Sequence, residues 1–86
     1  MKTIDKAKIL NNICYTDLVY GRINKKLEIF FSREKIEEYI FRILDEAEIE
    51  CFSKIGKNFY VTSQKHGVRV TINSNTFRII TVDKVN

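Results

Sequence analysis

Residues 49–85, IECFSKIGKNFYVTSQKHGVRVTINSNTFRIITVDKV, decide the fold of this 86-residue chain. Val68, Val70 and Ile72 alternate with Arg69, Thr71 and Asn73, and a period of two puts the first three on one face of a sheet and the others on the opposite face. That is the pattern of a half-buried strand. Phe59 and Val61 alternate with Tyr60 and Thr62 in the same way, and aromatic and β-branched side chains fit a pleated, partly buried surface. Thr76 to Val82 is apolar at Phe77, Ile79, Ile80 and Val82, which predicts cover on both sides and therefore a central strand. A weaker strand, Glu50 to Ile55, opens the series. Gly56-Lys57-Asn58, Lys65-His66-Gly67 and Asn73-Ser74-Asn75 fall between apolar runs and supply residues that accept positive φ or bond to nearby backbone. Links this short join antiparallel neighbours, so a three- to four-stranded meander is expected.

Residues 1–48 read as helices. Lys2 to Asn12 spaces Ile4, Ala7 and Leu10 by three, with Cys14 four further on, as one apolar stripe. Thr16 is placed to cap a second helix, with Asp17 at its positive end and Val19, Ile23 and Leu27 four apart on one side. Gly21 within it is a place where another helix could cross closely. Ser32 caps the third helix, Phe31 and Ile36 stand at hydrophobic-staple positions, and Ile36, Ile40, Ile43 and Ala47 line one face, widened by Tyr39 and Leu44. Glu38 and Arg42 are one turn apart on its solvent side. Helices followed by strands predict a single α+β domain over residues 1–86, with two to three N-terminal helices packed on one face of the antiparallel meander sheet.

Composition limits the function classes. No run approaches the roughly 20 apolar residues that span a bilayer, and charges break up the apolar residues of MKTIDKAKILNN, so the expected setting is the cytoplasm without a membrane partner. Cys14 and Cys51 lack CxxC spacing and the chain has one histidine, so buried free thiols are expected, with neither metal nor cofactor. Residues 1–48 hold nine basic and nine acidic side chains, whereas residues 49–86 hold six and two, so the net charge of +4 belongs to the strands. A localised positive field attracts phosphate backbones or acidic protein surfaces, and it also serves solubility alone.

With helices on one face of the sheet, the other is left uncovered. Alternation assigns it Tyr60, Thr62, Arg69, Thr71 and Arg78, with Lys54, Lys57, Lys65 and His66 at or near the loops. An aromatic among cations on a sheet face is how RNA-binding folds work, since bases stack on the ring and phosphates meet the cations. The candidate binding residues are thus Lys54, Lys57, Tyr60, Lys65, Arg69, Thr71 and Arg78. An ordinary solvated sheet face has the same composition.

The pattern Ile55-Gly56-Lys57-Asn58-Phe59-Tyr60-Val61, then Val70-Thr71-Ile72-Asn73, then Thr76 followed by Ile79-Ile80-Thr81, resembles the uncharacterised bacterial family called domain of unknown function 3781. Members of that family carry a Gly-Lys-Asn-aromatic-Tyr-Val strand, an Ile-Thr-Val-Asn strand and a closing Thr-Ile-Ile-Thr strand. The resemblance runs from about Thr16 onward. Phe59 stands where the family often has tryptophan, and Val82-Asp83 where an Ala-His pair commonly follows, so no role of that histidine carries over. The family has no established activity to lend. More distantly, helices followed by a meander ending in an Ile-Ile-Thr strand look like the small ribonuclease toxins of the RelE and colicin type.

Three functions from different classes follow. A non-catalytic module would bind RNA or DNA, or an acidic protein surface, through the basic strands. A small phage or mobile-element protein would inhibit a host defence nuclease, as anti-CRISPR proteins do, by binding a nucleic-acid-handling protein. A ribonuclease would use His66 or Tyr60 for proton transfer and Arg69, Arg78 and Lys57 for the developing phosphorane charge. Against this last, a histidine beside glycine in a turn is expected to be a solvated loop residue. An uncovered Thr76–Val82 edge would pair with a second copy to give a homodimer.

Overall fold

The computed structural model describes residues 4–85. Three helices, α1 (Lys6–Asn12), α2 (Asp17–Leu27) and α3 (Arg33–Glu46), precede a 3-10 turn at Ile49–Cys51. Four strands follow, β1 (Phe52–Ile55), β2 (Asn58–Ser63), β3 (Val68–Asn73) and β4 (Ile79–Lys84). They form one antiparallel sheet in the order β1-β2-β3-β4, and the fold is α+β.

α3 forms as its sequence implies. The Ser32 hydroxyl accepts the Lys35 amide at 3.1 Å, a cap worth about 1 kcal/mol. Ile36, Ile40, Ile43 and Leu44 are fully buried, and burying each such side chain contributes about 1.5–3 kcal/mol. The last turn of α3 has no basic residue of its own. Lys6 of α1 substitutes, its ammonium donating to the carbonyls of Asp45 and Ala47 at 2.6 and 2.7 Å, where the helix dipole favours a cation. Glu38 and Arg42 are both exposed.

In α2, Val19, Ile23 and Leu27 are the buried residues. Thr16 is the N-cap, but its hydroxyl makes no capping bond, and the nearby Asp17 pairs with Arg33 at 3.2 Å. Gly21 faces open space, so it marks no helix crossing. The helix ends on Glu28 in the left-handed region, φ 58°. The Asn24 amide then bonds both the N–H and the C=O of Phe31, tying the end of α2 to the start of α3.

α1 departs from expectation. Asp5 caps it by accepting the Lys8 amide at 3.0 Å, so it starts at Lys6, and the expected start at Lys2 lies outside the described residues. Its core residue is Ile9, 1% exposed, while Ala7 of the expected stripe is exposed. Cys14 lies beyond the helix in a one-residue parallel bridge beside Arg78, and it is exposed. Cys51, in the 3-10 turn where a strand was expected to begin at Glu50, is exposed as well. Neither thiol is buried, because neither lies on a face that meets the core.

β4 is an edge strand, not the central one, and it starts at Ile79. Two features make its apolar run misleading. A register slip pairs Thr71 with Thr81 and Ile72 with Ile79, leaving Ile80 as an extra residue, so consecutive isoleucines do not mean cover on both sides. The outer edge is also occupied. Cys14 accepts from the Ile79 amide and donates to the Phe77 carbonyl, both at 2.9 Å, and Arg22 of α2 donates to the Ile80 carbonyl at 3.3 Å. The edge expected to recruit a second copy is thereby covered, whereas β1 pairs only with β2.

The β3–β4 link is held by Asn73, whose side-chain oxygen accepts from the Asn75 and Thr76 amides at 2.8 and 2.9 Å. Its last residue before Arg78 is Phe77, at φ 60°. An aromatic side chain in that region costs about 1–3 kcal/mol unless its surroundings hold it there.

Candidate nucleic-acid interface

Strand register sorts the sheet side chains into two faces. Phe52, Val61, Val70 and Val82 stand in one cross-strand row, all buried beneath the helices. The next row on the opposite face is Ser53, Tyr60, Thr71 and Thr81. Flanking it are Thr62, Arg69 and Asp83 on one side and Ile55, Asn58 and Asn73 on the other. Arg78 completes the second of these, since its carbonyl accepts from the Asn73 amide at 2.9 Å. This second face is mostly polar and basic, with Tyr60 half-buried in a central strand and Ile55 exposed at its β1 edge.

The candidates do not all gather there. Tyr60, Thr62, Arg69 and Thr71 share the open face, and Arg78 and Lys57 lie at its end by the β1–β2 and β3–β4 links. Thr71 is only 6% exposed and forms the floor between longer neighbours. Lys54 pairs with Phe59, which pairs with Ile72, so it belongs to the helix-covered face. Lys65 and His66 lie at the other end, where both contact the Glu46 carboxylate of α3, at 3.3 and 3.1 Å.

His66 is therefore not the solvated loop residue expected. Its side chain is 19% exposed and sits edge-on to the Tyr39 ring at 5.7 Å. The two hydrogen bonds, His66 foremost, hold the Glu46 carboxyl below its usual range. The grouping of His66 with Tyr60, Arg69 and Arg78 that ribonuclease chemistry needs is not formed, because the histidine is turned to α3 and Tyr60 is on the opposite face.

Charge on the open face is set partly by α2. Lys26 pairs with Asp83 at 2.7 Å, and so relieves Arg69 of its only acidic neighbour in the row. Among the described residues Lys57, Arg69 and Arg78 make no ion pair. Arg22 and Lys26, one turn apart beside β4, extend the positive rim. Sequence reasoning passed over them and the Asn58 and Asn73 amides. The spacing of Arg22 and Lys26, off the Val19-Ile23-Leu27 stripe, was the available signal.

A tyrosine cluster lies where α2 and α3 begin. Tyr15 stacks on Tyr20 at 5.4 Å, Arg33 covers Tyr20 at 4.7 Å, and the Tyr20 hydroxyl donates to Glu37 at 2.7 Å. Desolvation, and then the bond to Glu37, push the Tyr20 hydroxyl up to about 12. This cluster fastens the two helices together.

No group of three or more metal-ligating side chains occurs among the described residues, and none of their helices is long and apolar enough to cross a membrane. What the fold and site define is a small α+β domain with one sheet face left open and basic. Residues 7–83 match the family described as Protein of unknown function (DUF3781), and the chain belongs to that family. No curated protein and no solved structure matches it.

Proposed function

We propose that the open sheet face binds single-stranded nucleic acid, as a cytoplasmic binding module without catalysis. The observation that carries this reading is the placement of Tyr60 on the uncovered face of a central strand, flanked by Arg69 in one neighbouring row and Asn58, Asn73 and Arg78 in the other. A base stacks on the Tyr60 ring. The two amides offer donors and acceptors to base edges, and Lys57, Arg69 and Arg78 meet the backbone. A twisted sheet with one accessible ring suits an unpaired strand better than a duplex, whose base faces are hidden.

Binding of labelled single-stranded RNA and duplex DNA across a salt series tests this. The single strand is expected to bind more tightly, with a salt slope of about −2 for three phosphate contacts. Tyr60→Ala should cost about 1–3 kcal/mol of affinity, and Arg69→Glu/Arg78→Glu should abolish binding. A folded protein that binds neither nucleic acid at low salt would overturn the reading and turn attention to an acidic protein surface as partner of the same cations.

A further inference from the structure

A cleft of about 420 Å³ lies on the helix-covered side, between α1 and the β3–β4 link, away from the open face. Its volume is within the range of small-ligand sites. Phe59 and Phe77 line it, both half-buried, and Lys8, Lys54 and the Ser74 side chain lie at its border. Lys54 reaches it because its register opposite Phe59 turns it to the helix side of an edge strand. Lys8 lies 5.9 Å from the Phe77 ring. Neither lysine makes an ion pair among the described residues. Asp5, the cleft's acid, has an oxygen engaged by the Lys8 amide as the cap of α1.

Phe77 is the second observation. Its backbone is left-handed at φ 60°, in a link whose Asn75 and Thr76 amides are satisfied by the Asn73 side chain and where glycine or asparagine would fit without strain. The chain holds an aromatic residue there, fixed through its carbonyl by Cys14 and through its amide by Asn73. Strain retained at one position is a pointer to use of that side chain. A lysine on an edge strand also deters sheet extension, but that role does not call for a second cation without an ion pair, Lys8, beside the Phe77 ring of the same cleft.

We propose that this cleft binds a nucleoside monophosphate group, its base against Phe59 and Phe77 and its phosphate between Lys8 and Lys54. Two cations from separate elements match a phosphate monoester dianion better than a single carboxylate. The group could be a free mononucleotide or the 5′-phosphorylated end of a strand. The site is separate from the open face, and Tyr60→Ala should leave it unchanged.

Amide chemical shifts of Phe59, Ser74 and Phe77 are followed while adenosine 5′-monophosphate is added, with adenosine and inorganic phosphate each alone as comparisons. Saturable shifts with the nucleotide, reaching half-maximum near about 1 mM, and at least tenfold weaker binding by either fragment are expected. Phe77→Asn keeps the left-handed turn and removes the ring, so it should abolish the shifts while leaving the unfolding midpoint little changed. Lys54→Glu, at an exposed position, should weaken binding about tenfold and does not depend on the first variant folding. Tighter binding of a 5′-phosphorylated oligoribonucleotide than of its 5′-hydroxyl form assigns the group to a strand end, and equal binding of the two forms assigns it to the free nucleotide. No saturable shift, or shifts that persist unchanged in Lys54→Glu, would overturn the proposal.

Discussion

Val70 and Arg69 are neighbours in one strand, yet they belong to regions with different work. The row Phe52, Val61, Val70 and Val82 is buried in the core with the helix residues, while the row Ser53, Tyr60, Thr71 and Thr81 on the reverse is polar, with Ser53 exposed, Tyr60 half-buried and Thr71 as its floor. Each strand thus devotes alternate residues to holding the fold and to facing outward. The lesson is that the stability of this small domain is concentrated on one side, so the other is free to carry polar and charged groups that contribute little to folding.

The comparison breaks most sharply at those two positions. Val70→Asp buries a carboxylate with no partner and should leave the chain unfolded, a loss of several kcal/mol, whereas Arg69→Asp should change stability by no more than about 0.5 kcal/mol. Urea denaturation of both variants checks this, and a large effect at Arg69 would refute the division of labour. Ile40→Ala, on the helix layer facing the sheet, should cost about 2–5 kcal/mol in the same assay.

A smaller effect is expected where the helix layer meets the end of the sheet. The Glu46 carboxyl is held low in the folded protein by His66 and Lys65 and keeps its ordinary value of 4.5 when unfolded. The contribution is therefore complete above pH 4.5 and fades as pH falls through the lowered folded value. Glu46→Gln should flatten the acid side of a stability–pH curve, measured by thermal melting, and leave the neutral side parallel to the parent. The smallest effect belongs to the open face. The Thr81 hydroxyl is buried without a partner among the described residues, so Thr81→Val should be neutral or slightly stabilising in urea.

What could be read in advance follows the same division. The alternation at 68–73 assigned both faces of β3 correctly, and Ser32 with Ile36, Ile40 and Ile43 assigned α3, because local period and burial coincide there. β4 was misjudged since its apolar run mixes a bulge at Ile80 with cover from α2, and neither has a local signature. The same holds for Cys14, whose exposure depends on a bridge to residues more than sixty positions away. Of the candidate site, the shared face of Tyr60, Arg69 and Thr71 is legible from alternation, while Lys54, expected at or near a loop, lies within β1 on the other face because it pairs with Phe59. Lys65 and His66 were drawn away by Glu46, a tertiary contact no periodicity reveals.

Threonine methyls mark one face of this sheet and valine methyls the other, so methyl-resolved spectra recorded during titration with single-stranded RNA test the division directly. The γ-methyl signals of Thr62, Thr71 and Thr81 should move with saturation, and those of Val61, Val70 and Val82 should stay in place. Movement confined to the valines, or no movement in either set at low salt, would contradict the assignment of binding to the open face.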